Sequence, residues 1–185
     1  MLKPLHFFAL LGVAALAGCG GEGQPTAEEP QAEASAKGVD RSQAGKPMPD
    51  IELRDADDEP ATLGDASGAP LLVNLWASWC APCVKELPTL DALSQRPGAP
   101  RIIAVSQDMA PRASVDAFLA KHATKLEGWH DPKMSLSGSL GAQVLPTTIY
   151  YDAVGREVWR YVGDMDWAGP EAAKLLAEGS GGRTH

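Results

Sequence analysis

Cysteine is scarce in this 185-residue chain: there are three, Cys19, Cys80 and Cys83. So few cannot form the framework of a disulfide-stapled secreted scaffold, which takes about two to four bridges. Histidine is nearly as rare, with only His6, His122, His130 and His185. A closed zinc site wants about four Cys or His ligands, and neither His122 nor His130 stands at a ligand spacing from the cysteines. Net positive charge is missing too. Sixteen Lys and Arg face 24 Asp and Glu, a formal charge of -8. An acidic surface disfavours nucleic acid and other polyanions as partners. No internal repeat is visible. The length suits one globular domain with something appended.

A long apolar run is also lacking. The N-terminus reads MLKPLHFFALLGVAALAGCG, and its apolar stretch covers residues 7–17. That is too short for a bilayer, which needs about 20 residues. It has the length of a signal-peptide core behind a single Lys3. It ends in Leu16-Ala17-Gly18-Cys19, which resembles the lipobox of bacterial lipoproteins. By that resemblance residues 1–18 are a signal peptide and Cys19 is the lipidated N-terminus of the mature chain. The implied location is the periplasmic side of a bacterial membrane, held there by acyl chains. Inner and outer membrane both stay open.

Residues 20–46 contain no Leu, Ile, Met or aromatic residue. Such a segment cannot bury enough apolar surface to order itself. Residues 19–46 therefore read as a lipidated cysteine and a flexible tether, with an r.m.s. reach of about 30 Å. The folded domain is expected over residues 47–179, followed by a frayed tail at 180–185.

Within the domain, DIELRDADDEPATL suggests a hairpin with strands at 51–54 and 61–63. APLLVNLWAS is a continuous apolar run, as suits a strand buried on both faces. CVKELPTLDAL then repeats Val84, Leu87, Leu90 and Leu93 at helical spacing, with Pro88 expected to kink the helix. RIIAVSQ is a second buried strand, and Pro111 opens a second helix. A short helix follows in DPKMSLSGSLGA. TTIYYDAVGREVWRYVG reads as a hairpin, and a last helix closes at Gly179. Strand–helix alternation with a late hairpin implies an α/β fold around a mixed sheet.

Cys80 stands where the buried strand gives way to a helix, and Pro82 fits that helix's first turn. Unpaired N–H groups and the positive end of the dipole at this place favour a thiolate. Cys83 lies one turn on, within reach for a bond to Cys80. A bridge closing so short a loop is a poor staple, because loop-closure stabilisation grows with loop length. A redox pair is the leading reading. A copper site using both thiolates and His130 is the alternative, since copper favours thiolate and imidazole.

The segment LLVNLWASWCAPC resembles the active-site segment of thioredoxin-fold proteins, and VLPTTIYYDAVGREV resembles their second signature. Both stand in the expected order. Within that superfamily the chain is most similar to the membrane-anchored TlpA/ResA-like thiol-disulfide oxidoreductases. The resemblance implies a thioredoxin-like fold with an added N-terminal hairpin. It implies Cys80 as nucleophile, Cys83 as resolving thiol and a Cys80–Cys83 disulfide, with no cofactor. Pro146 would be a cis-proline, and Leu145, Trp79 and Pro82 would border the substrate with it. Glu86 would be a buried acid that serves the Cys83 proton, the more so because Asn74 stands where thioredoxins proper carry an aspartate. The implied partners are exported proteins with disulfides, such as those of cytochrome c maturation, and a membrane thiol-reducing electron donor.

Overall fold

The structure is a computed structural model, and it describes residues 37–180. The expected signal peptide, lipidated Cys19, the tether as far as residue 36 and the tail beyond 180 lie outside the described residues. In chain order the elements are β1 (Gly38–Asp40), β2 (Leu53–Arg54), β3 (Pro60–Ala61), a 3-10 turn (Leu63–Ala66), β4 (Leu71–Trp76), α1 (Ala81–Ser94), β5 (Arg101–Ser106), α2 (Arg112–His122), β6 (Glu127–His130), α3 (Ser135–Leu140), β7 (Thr147–Tyr151), β8 (Glu157–Val162) and α4 (Pro170–Ser180). The strands form one mixed sheet in the order β1-β8-β7-β4-β5-β6-β2-β3.

β4 sits at the centre, parallel to β5 and antiparallel to β7. All six of its residues are buried, as its unbroken apolar run requires. Alternate residues face opposite ways. Leu72 and Trp76 meet α1, α2 and α4 through Leu87, Leu90, Val115 and Leu175. Leu71, Val73 and Leu75 meet Leu63 of the 3-10 turn and Leu136 of α3 on the other face. The two crossovers β4-α1-β5 and β5-α2-β6 step the same way across the sheet, so both helices fall on one face. α1 turns Cys83, Glu86, Leu87, Leu90 and Leu93 inward. The buried stripe thus starts at Cys83 and takes in Glu86, while Val84 is only half-buried. Pro88 stands inside a helix that runs on to Ser94.

Four expectations need correction. The domain does not begin at Pro47. β1 pairs with β8, Gly38 opposite Val162, and Gly45 and Lys46 exchange backbone hydrogen bonds with Glu157 at 2.7 and 2.8 Å. An edge strand can be held by backbone bonds alone, and composition carries no sign of that. The early hairpin is shorter, and residues 63–66 coil into the 3-10 turn instead of continuing the strand; Asp65 accepts the Thr62 N–H at 2.7 Å there. β6 has no counterpart among the expected elements, because Glu127-Gly128-Trp129-His130 has no strand pattern. It pairs along β5 all the same.

The fourth correction concerns Gly179, which does not cap α4 but lies inside it. A Cβ there would stand 2.3 Å from the ring of buried Tyr150. The close approach of helix to sheet is what requires glycine. A free helical Gly→Ala change gains about 1 kcal/mol. Here Gly179→Ala is expected to cost about 1–3 kcal/mol by overpacking, as read from urea unfolding; a gain would show that the helix does not press on Tyr150.

Candidate active site

Cys80 is the N-cap of α1 and Pro82 lies in its first turn, which holds no acidic residue. Cys80 and Cys83 are joined in a disulfide with a Cα–Cα distance of 5.2 Å. The Cys80 sulfur also accepts the Cys83 N–H at 3.3 Å, so it lies where the helix offers an unpaired donor. Cys80 is 6% exposed and Cys83 fully buried, while Trp79 beside them is 68% exposed. The Leu145–Pro146 peptide bond is cis. Thr147, next along, pairs with Leu75 in β4. Pro146 therefore stands at the same end of the sheet as the disulfide, and Leu145 and Trp79 line one groove.

Glu86 lies one turn below Cys83 and is 2% exposed. Its carboxylate collects three N–H donors from distant parts of the chain. Asn74 Nδ2 reaches Oε1 at 2.7 Å; Trp167 Nε1 and the Met165 backbone N–H reach Oε2 at 3.1 and 3.2 Å. Burial pushes the pKa up to about 7, against the pull of those three hydrogen bonds; the charge of Asp164 adds a smaller upward push. Asn74 also donates to Thr148 Oγ1 at 2.9 Å, while its own Oδ1 has no partner. Turned over, that amide would offer Oδ1 to a protonated Glu86.

The loop in front of Cys80 is braced by a residue that sequence reasoning passed over. Buried Asp108 accepts the Ser78 N–H and hydroxyl, both at 2.9 Å, and the Ser106 hydroxyl at 2.8 Å. Trp167 carries no mark of a site in the sequence, yet it is a donor to Glu86. Nothing in local spacing marks a contact across 81 positions. Lys85 is a solvated helix residue, with a long ion pair to Asp164 at 3.6 Å. His130 Nε2 lies 2.8 Å from the Asp108 carbonyl oxygen. Among the described residues no group of three or more His, Cys, Asp or Glu is placed to hold a metal ion.

A disulfide at a helix N-terminus beside a cis-proline defines a thioredoxin-like site for thiol chemistry. The chain belongs to the Redoxin family, whose model matches residues 43–176, and it is a thiol-disulfide oxidoreductase of the DsbE/ResA type. It is 32% identical to the thiol:disulfide interchange protein HelX of Rhodobacter capsulatus over 176 residues, 89% of this chain and 90% of that one. It is 28% identical to the thiol-disulfide oxidoreductase ResA of Bacillus thuringiensis, covering 68% of this chain and 73% of the relative. In fold it is similar to a thiol:disulfide interchange protein DsbE from Chlorobium tepidum, with a TM-score of 0.63 at 24% identity over 74% of this chain and 94% of that one.

The buried acid makes stability depend on pH. The native carboxyl keeps its proton to about pH 7, whereas an unfolded glutamate releases it near 4.3. Between those values the native state binds more protons than the unfolded one. Its contribution is therefore full at low pH, falls as pH rises through this window and is gone above about 7. The shift corresponds to about 4 kcal/mol. Urea unfolding of the oxidised protein across pH 4.5–7.5 is expected to show this loss. Glu86→Gln should flatten the slope; equal slopes for the two proteins would contradict the burial argument.

Proposed function

We propose that this protein is a lipid-anchored reductant of disulfides in exported proteins, of the kind that serves cytochrome c maturation. The observation that carries the proposal is the Cys80–Cys83 disulfide at the N-cap of α1, with a buried acid one turn below. In the reduced form the Cys80 thiolate attacks one sulfur of the substrate disulfide. The substrate S–S bond breaks, a mixed disulfide forms, and the departing substrate thiolate takes a proton. Cys83 then gives up its proton, with Glu86 as acceptor, and attacks the Cys80 sulfur. The second substrate sulfur leaves as a thiolate and takes the proton held by Glu86, and the Cys80–Cys83 disulfide remains. Two electrons and two protons pass to the substrate in each cycle. A membrane dithiol must return both to the protein.

Cys80 attacks because it stands at the helix end, where a thiolate is favoured. Cys83 is fully buried and waits for the mixed disulfide. Leu145, ahead of the cis-proline, is placed to lend its backbone to an extended substrate strand. Trp79, Pro82 and Pro146 complete the rim. Lipid on Cys19 would hold the domain near its donor. Among the described residues no helix is long and apolar enough to cross a membrane.

The cysteine roles separate cleanly by mutation. Cys80→Ser should lose at least a thousandfold in the rate of protein-disulfide reduction, as expected for loss of the thiolate that attacks the substrate. Cys83→Ser should accumulate a mixed disulfide at Cys80, visible by intact mass. A Cys80→Ser protein with the wild-type rate would overturn the mechanism. For the anchor, full-length protein made in bacteria should enter the detergent phase on partitioning, and Cys19→Ala should leave it in the aqueous phase.

A further inference from the structure

The groove beside the disulfide carries an unsatisfied group that the redox chemistry does not use. Trp79 and Leu145 form one side of the groove, Met134 and the glycines of α3 and its end the other, and its volume is about 460 Å3. None of its lining residues is charged, although the chain carries -8. Gln107 is part of its wall. It follows directly on β5, fixed by its backbone N–H to the Trp76 carbonyl at 2.8 Å. Its side chain is 1% exposed, and neither Oε1 nor Nε2 has a hydrogen-bond partner. Leaving a buried amide unpaired carries a desolvation cost for each unmet group, whereas an apolar side chain there would cost nothing of the kind.

The far wall is built as firmly as the near one. Asp131 accepts the backbone N–H groups of Ser135 and Leu136 at 3.1 and 2.8 Å and so holds the start of α3. Arg160, in a buried pair with Glu157, donates to the Leu140 carbonyl at 2.7 Å and holds its end. The groove thus has a braced far wall and a mostly apolar lining; Ser137 and exposed Gln143 also face it, but Gln107 is its buried amide, wanting both a donor and an acceptor. A peptide unit supplies one of each.

We propose that Gln107 is a specificity residue of this groove: its amide pairs with a peptide unit of an extended substrate segment, and the groove takes an uncharged residue beside the substrate cysteine. The occupant is a polypeptide, because the groove is continuous with the disulfide through Trp79 and Leu145 and because its buried amide calls for a peptide unit, which a small aromatic disulfide lacks. The proposal rests on the redox reading above. It adds that the substrate is selected by its neutral flank and not by charge.

The test uses reduced full-length protein, a small aromatic disulfide, and two disulfide peptides that differ only in Leu or Asp beside the cysteine. The wild type should prefer the Leu peptide by at least about tenfold in kcat/KM, the effect of desolvating a charge in an apolar groove. Gln107→Leu should lower the ratio of peptide to small-disulfide kcat/KM about threefold to tenfold, the worth of one neutral hydrogen bond, and do so through KM. Gln107→Met gives the same reading if the leucine variant folds poorly. In a Cys83→Ser protein trapped with the Leu peptide, the Gln107 side-chain amide resonances should shift. An unchanged ratio, equal rates for the two peptides, or unmoved amide resonances would each overturn the proposal while leaving the redox reading intact. A wild type inert even towards the small disulfide would fail that reading, and the proposal would fall with it.

Discussion

The start of α1 is the constraint on which the site depends. β4 is buried along its whole length, so the chain can leave it only at the sheet's end, and Cys80 is fixed there as the helix N-cap. Helical periodicity then decides the rest. Positions three and six residues on, Cys83 and Glu86, must face the core. One sulfur is therefore held at the surface end of the helix and the other beneath it, with a carboxylate below both. Glu86 in turn gathers β4, through Asn74, and the segment after β8, through Met165 and Trp167. A buried acid with three donors ties the helix to two further parts of the fold, and it titrates near neutrality because burial outweighs those donors.

The helix end and the buried acid act on the thiols in opposite directions. Dipole and free N–H groups stabilise a thiolate on Cys80. Full burial of Cys83 and a neighbouring carboxyl disfavour one on Cys83. The more the second effect outweighs the first, the less the reduced pair gains from ionisation and the more readily it is oxidised. The groove beside the disulfide brings no charged side chain to this balance.

Much of this could be read from the residues in order. The apolar run before Cys80 and the spacing after it located β4 and α1. The step of three from Cys83 set Glu86 on the cysteines' helix face, and the resemblance implied its burial. What could not be read were contacts that close over distance. Trp167 looks like any buried indole until its N–H is seen against Glu86. Asp108 lies in a turn of ordinary composition, yet it holds the loop that carries Trp79. β1 joins the sheet by backbone bonds in a segment whose side chains suggest a tether. β6 follows the register of β5 in spite of its glycine, where a Cβ would stand 2.4 Å from Leu119. In each case the deciding partner is remote in sequence, and local pattern is silent about it.

The reduction potential of the Cys80–Cys83 pair, by equilibration of the full-length protein with dithiol buffers at pH 7, tests the central claim most directly. The account predicts a value near the thioredoxin end of the scale, about -270 mV. A value near the DsbA end, about -120 mV, would mean that the helix N-terminus dominates the pair, and the protein would be an oxidant instead.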